Sequence, residues 1–335
     1  MSDTVTLDQI KQGDVLLFHG AGTLSWAIRL VDGTEWNHAA FVIDPSFVVQ
    51  IDAGTGVQKI DLKTRVNDSE YIGIYHLKSN PTVWTPLVDQ GTKYVASGDH
   101  YDYEAIVLLA LLCTTRRLPV PKLVKFLLRN VLDAAAKILL DLSQAGKESL
   151  ICSDLVYRCY NDALPPPDDV YTIRVNSHPD SVAISSTAIL GRGASVTRGI
   201  DPYSLAARMA AYHQAAVPSS RIQATLPAPQ EVDLPTLRAN VDQAISDLQK
   251  KMSQPVSTDD AGTIDDLLSD PEVRSSVDHF AGAVARHASA DKMKATVVPI
   301  STAYADFSNA IASFVTPGDL SYSPDLQKRG IYKKP

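Results

Sequence analysis

Trp36-Asn37-His38-Ala39-Ala40-Phe41-Val42-Ile43-Asp44, then Pro45-Ser46, then Phe47-Val48-Val49-Gln50-Ile51-Asp52-Ala53 is the stretch on which the fold turns. Both runs are rich in β-branched and aromatic residues, and a turn signal separates them, so the pattern predicts an antiparallel hairpin over Ala39–Asp44 and Phe47–Ala53. Pairing about Pro45-Ser46 returns Asp52 to the level of His38. Gln50 lies two residues away on the same face as Asp52, since strand side chains alternate. An imidazole at a sheet mouth beside a carboxylate or an amide is oriented, and its cationic form is stabilised.

Outward from the hairpin, Val15–Phe18 follows the turn signal Gly13-Asp14, and Val57–Leu62 and Tyr71–Leu77 alternate apolar with polar residues. The first 80 residues therefore read as an antiparallel sheet or half-open barrel. Helical periodicity begins near Thr85. It predicts helices over Thr85–Ala96, Tyr103–Thr114, Pro121–Ser143 and Cys152–Asn161, punctuated by Gly98, Pro119, Pro121 and Gly146. Leu164-Pro165-Pro166-Pro167 is a rigid exit, and Ile173–Gly199 reads as irregular with a strand or two. Further helices are predicted over Asp201–Ala216, Leu234–Met252, Ile264–Leu268, Pro271–Ala290 and Ala303–Phe314, with Pro218–Pro229 as a linker.

The chain of 335 residues is 45% hydrophobic and 21% charged, ordinary for a globular protein with a sizeable core. Its net charge of -7 and lack of a long basic run argue against a nucleic-acid partner. Cys113, Cys152 and Cys159 make neither a disulfide framework nor a zinc spacing, so no cofactor and no metal are predicted. The first residues, MSDTVTLDQIKQGD, lack a basic start followed by an apolar stretch. The longest apolar run, Ala105–Cys113, falls well short of the roughly 20 residues of a membrane span. A cytoplasmic chain is the reading these features favour.

Chemistry concentrates at a second stretch, Leu150-Ile151-Cys152-Ser153-Asp154-Leu155-Val156-Tyr157, preceded by Gly146-Lys147. It puts the Cys152 sulfur in the first turn of a helix, where unpaired N–H groups and the positive dipole end favour a thiolate nucleophile. The Ser153 backbone N–H is placed to donate to an oxyanion. His38 is then the base and Asp52 the orienting third member, with Gln50 as the alternative in that role. Plainer roles fit the same residues: a buried structural thiol, an exposed strand-end histidine, and a turn-capping carboxylate before Gly54. Cys113 and Cys159 read as core residues, and no motif selects His19, His76 or His100.

Taken in order, Gly13-Asp14-Val15-Leu16-Leu17-Phe18, Trp36-Asn37-His38-Ala39-Ala40-Phe41-Val42, Ile51-Asp52-Ala53 with Gly56-Val57, Tyr101-Asp102 and Ile151-Cys152-Ser153-Asp154-Leu155-Val156 resemble the permuted NlpC/P60 superfamily. The likeness is to its YiiX/YaeF-like branch and to the related lecithin retinol acyltransferase-like branch. Phe314-Val315-Thr316-Pro317-Gly318-Asp319-Leu320 with Ser323-Pro324 resembles a tail of YiiX-like members, so the likeness covers roughly residues 10–165 and 312–327. The resemblance implies a circularly permuted papain-like α+β fold, its antiparallel sheet packed on the nucleophile helix, with added helical segments. It maps His38 to the base, Cys152 to the nucleophile and Asp52 to a third position where relatives often carry histidine or glutamate. The expected organisation is a catalytic domain over residues 1–200 with a helical insertion at about 103–149, a helical accessory region over 201–312, and a tail over 313–335 that returns to the catalytic domain.

The activity so implied is amide hydrolysis through an acyl-enzyme, with peptidoglycan stem peptides as the substrate class. Without a leader, such an enzyme reaches a cell wall as a secreted antibacterial effector or a phage-type enzyme, by a route that needs no signal. The helical region then shapes access or docks a protein partner for delivery or inhibition. Two alternatives stay open. One is acyl transfer or lipid hydrolysis of the acyltransferase-like type, with Tyr103–Thr114 and Pro121–Ser143 lining an acyl groove. The other is a binding protein that keeps the fold without turnover.

Overall fold

The computed structural model describes residues 4–52, 55–97, 104–116, 118, 121–145, 150–164, 170–175, 204–216, 233–254, 263–288, 307 and 314–334. The strands are β1 (Asp14–Gly20), β2 (His38–Asp44), β3 (Phe47–Asp52), β4 (Gly56–Asp61), β5 (Ser69–Leu77) and β6 (Leu326–Lys333). The helices are α1 (Thr23–Asp32), α2 (Leu62–Asn67), α3 (Thr85–Ser97), α4 (Glu104–Thr115), α5 (Pro121–Gln144), α6 (Cys152–Asn161), α7 (Leu205–Ala216), α8 (Leu234–Met252), α9 (Ile264–Ser269), α10 (Pro271–Ala288) and α11 (Pro317–Ser321). The fold is thus α+β. No helix among the described residues is long and apolar enough to cross a membrane.

The chain divides into two compact units. The first joins Met1–Ala105, Leu150–His178 and Val315–Pro335; the second joins Ile106–Ser149 and Pro179–Phe314. The stretches expected as an insertion at 103–149 and a separate region at 201–312 therefore fall largely in one unit, whose boundary lies inside α4.

The first unit is built on a six-stranded sheet of order β4-β3-β2-β1-β5-β6, with every pair antiparallel. β1 lies between β2 and β5 with both faces covered, which explains the unbroken apolar run Val15–Phe18. On one face Val15, Leu17, Ala39, Phe41, Val49 and Ile51 pack with Leu155, Val156, Cys159 and Tyr160 of α6. On the other, Leu16, Phe18, Ala40, Val42, Val48, Ile72 and Ile74 are covered by Val5, Ile10, Leu62 and Val66. Helix α6 buries Cys152, Leu155, Val156, Cys159 and Tyr160, the i, i+3, i+4, i+7, i+8 stripe of an amphipathic helix. Each fully buried aliphatic side chain of that stripe contributes about 1.5–3 kcal/mol. The Tyr160 hydroxyl donates to the Gly13 carbonyl at 2.7 Å.

The chain's last stretch is part of this unit. Thr316 and Asp319 cap α11 reciprocally, and Asp32 at the end of α1 accepts from the Gly318 N–H at 3.2 Å. β6 then pairs with β5 from Tyr71↔Lys333 to Leu77↔Leu326. The sequence pattern misses β6, because Lys328, Arg329 and Lys333 interrupt the apolar alternation; charge of this kind is usual on an edge strand. It also misses α1 and the six-residue α2.

In the second unit α5 packs against α8, α9 and α10. Leu127, Leu128, Val131, Leu132, Ala135 and Leu139 of α5 are buried, as are Val241, Ile245 and Leu248 of α8 and Val277, Phe280 and Val284 of α10. Arg129 pairs with Glu272 at 2.5 Å, and Lys125 pairs with Asp270. The linker read at Pro218–Pro229, most of Ile173–Gly199, the Tyr101-Asp102 pair and, apart from Phe307, the helix read at Ala303–Phe314 lie largely or wholly outside the described residues.

Candidate functional site

His38 is the first residue of β2, paired across the sheet with Phe18, whose ring lies 5.4 Å from the imidazole, centroid to centroid. Its Nε2 meets Gln50 Oε1 at 3.2 Å. Arg65 of α2 donates from Nε to the same oxygen, and its guanidinium sits 4.1 Å above the Phe18 ring. A guanidinium only donates, so the amide of Gln50 must turn its oxygen toward Arg65 and His38. That assignment places the imidazole hydrogen on Nε2 and leaves Nδ1 as the acceptor.

Nδ1 faces Glu104, the first residue of α4, with Oε1 at 3.8 Å. Cys152, the first residue of α6, completes the group. One donor atom from each of His38, Glu104 and Cys152 lies within 4.8 Å of the other two, and all three residues are buried. These residues, with Gln50 and Arg65, belong to the first unit. The backbone N–H groups of Ala39 and Ser153 donate to the Cys152 sulfur. Ser153 also anchors its own helix end, since its hydroxyl donates to the Val315 carbonyl at 2.5 Å.

Burial drives the electrostatics. It pushes the Cys152 thiol well up, the Glu104 carboxylate pushes it further, and the Ala39 N–H, the Ser153 N–H and the Ser153 hydroxyl oppose this without prevailing. His38 is brought down to about 3, first by burial and then by the Arg65 guanidinium, with the Gln50 bond working against them. Both shifts run toward the uncharged forms, thiol and neutral imidazole. The N–H groups that favour an anion are present, but desolvation outweighs them.

Of the two candidates for the third position, Gln50 is in contact with the imidazole. Asp52 ends β3 opposite Gly56, and its side chain lies outside the described residues. The Ser153 N–H expected to serve an oxyanion is one of the groups that favour the Cys152 anion. Cys113 and Cys159 are buried free thiols, the latter within the core beneath the sheet. His19 stacks on Tyr71, His76 is bound to Asp14 at 2.7 Å, and His100 lies outside the described residues. Sequence reasoning missed Glu104 and Arg65. Glu104 carries a faint signal, an acidic residue opening an otherwise apolar helix, though a helix N-terminus attracts such residues for its own reasons. Arg65 carries none.

Comparison with protein-family models, with curated proteins and with solved structures gives no match to this chain.

Proposed function

We propose that this chain is a cysteine hydrolase with a permuted papain-like catalytic unit, and that it cleaves amide bonds through an acyl-enzyme. The observation that supports the reading is the convergence of His38, Glu104 and Cys152 within 4.8 Å from three separate parts of the sequence. In the first step the Cys152 thiol gives its proton to His38 Nδ1, and the sulfur attacks the carbonyl carbon. Glu104 stabilises the imidazolium from the Nδ1 side, while Gln50 holds the Nε2 hydrogen and so the ring's orientation. His38 then passes its proton to the leaving amine. Water, deprotonated by the same imidazole, releases the acyl group and restores the thiol. Peptidoglycan stem peptides are the substrate class that the resemblance supports.

The test is turnover of a fluorogenic peptide amide and of soluble muropeptides by the full chain, beside Cys152→Ala and His38→Ala. Turnover lost in both variants, with unchanged circular dichroism, supports the thiolate mechanism. Activity surviving in Cys152→Ala ends it. Hydrolysis of thioesters or phospholipids without amide cleavage moves the reading to the lipid class.

A further inference from the structure

The same three side chains also form a set of metal donors. A thiol, an imidazole and a carboxylate, all buried, converge from β2, α4 and α6. In the proposed proton transfer the proton moves only between the thiol and the imidazole. The carboxylate, at 3.8 Å from the ring nitrogen, adds a third donor of the kind that zinc accepts. We propose that His38 Nδ1, Glu104 and the Cys152 sulfur bind one Zn2+, and that the bound ion holds the enzyme inactive.

Geometry supports the ion. A tetrahedral zinc with Zn–S of about 2.3 Å and Zn–N and Zn–O of about 2.0–2.2 Å sets its ligand atoms roughly 3.4–3.6 Å apart. The donors here lie within 4.8 Å of one another, so closure by about an ångström of side-chain movement brings them into range. Three protein ligands leave the fourth position for water. The ligand mixture selects among ions as well: thiolate and imidazole suit zinc, whereas magnesium and calcium prefer oxygen donors throughout.

Support around the ligands points the same way. The imidazole must coordinate through Nδ1, and its Nε2 hydrogen is held by Gln50, whose oxygen also accepts from Arg65. Metal-bound histidines are commonly oriented by such a bond from the second ring nitrogen. The charges balance too. Binding releases the thiol proton to solvent, and the resulting thiolate and the Glu104 carboxylate neutralise the divalent ion in a buried setting. With its lone pair shared with zinc, the sulfur no longer attacks a carbonyl, and Nδ1 no longer accepts a proton.

Binding rests on the donor set alone, whereas inhibition rests on the hydrolase reading. The experiment separates them. The full-length chain, stripped of metal, is titrated with Zn2+ by calorimetry and with Co2+ by absorption spectroscopy. The expected result is one ion per chain, with a thiolate-to-cobalt charge-transfer band that is lost in Cys152→Ala. Glu104→Gln is expected to weaken Zn2+ binding roughly tenfold or more. Absence of the band in the wild-type chain overturns the site, whatever the variants do. The metal-free chain is also assayed: activity that Zn2+ abolishes and a chelator restores supports inhibition, and activity that appears only with Zn2+ overturns it. A metal-free chain that binds cobalt through sulfur but turns over no substrate with or without metal refutes the hydrolase reading and the inhibition, and leaves the metal site standing.

Discussion

Glu104 has opposed effects on Cys152 and His38 that a single substitution separates. Glu104 raises the thiol's pKa, and in the proposed mechanism it also steadies the imidazolium formed during attack. Glu104→Gln keeps the shape and removes the charge. It is expected to lower kcat by about 10- to 100-fold through loss of that stabilisation. The same variant is expected to alkylate Cys152 with iodoacetamide faster than wild type at pH 8, because the pKa falls. Turnover and alkylation moving in the same direction would show that Glu104 acts otherwise. Gln50→Ala leaves Nε2 without its acceptor and is expected to reduce kcat while changing KM little, a split that steady-state kinetics reads directly.

Between elements, the buried carboxylate of Asp14 on β1 ties β5 and β6 to it. It accepts from His76 of β5 at 2.7 Å, from Arg329 of β6 at 2.8 Å and from the Lys11 N–H at 2.7 Å. Asp14→Asn removes the charge from beneath two cationic partners and is expected to cost about 3 kcal/mol. Trp26, Trp36 and Trp84 all lie in the first unit, so urea unfolding followed by tryptophan fluorescence reports that unit. The clamp is also pH-dependent. The hydrogen bond to Asp14 is the main cause that raises the pKa of His76, with burial opposing it. Its stabilisation is therefore complete below the unfolded value of about 6.5 and is lost as pH rises through the higher folded value. The stability advantage of wild type over His76→Gln should shrink from pH 6 to pH 9, and an advantage that grows over that range contradicts the assignment. At the tail, a Cβ on Gly318 would stand 2.4 Å from an Asp32 carboxylate oxygen, so Gly318→Ala is expected to lower the first unit's Tm.

At the scale of the whole molecule, the two units are each assembled from segments far apart in the chain. Deleting residues 218–300 strips α8, α9 and α10 from α5, and so uncovers the apolar face that Leu128, Val131, Leu132 and Leu139 bury. That variant is expected to aggregate. Replacing both 106–149 and 179–314 with short linkers removes the second unit entire and is expected to leave a soluble first unit with native tryptophan fluorescence. Size-exclusion chromatography compares the two. A monomeric, folded 218–300 deletion would mean that α5 does not depend on those helices.

The sequence by itself determined the local elements and the two chemical anchors. The Ala39–Asp44 and Phe47–Ala53 runs carry strand periodicity about a two-residue turn. The stripe from Cys152 to Tyr160 sets an amphipathic helix with sulfur at its start, because both signals are local and repeat with the backbone's own period. Tertiary structure decided which groups meet the imidazole. The turn pairs Asp44 with Phe47, but the register shifts by one residue before Val42 meets Val48. An unshifted pairing would put the odd-numbered residues of β3 on the face of His38. The bulge puts Gln50 there instead, since one residue of slip exchanges the two faces of a strand. Arg65 reaches the site from a helix placed by its packing on β3, β4 and β5, and Glu104 comes from a part of the sequence far from the hairpin. The balance of charge at Cys152 likewise follows from how deeply those elements bury it, and no spacing of residues along the chain records that depth.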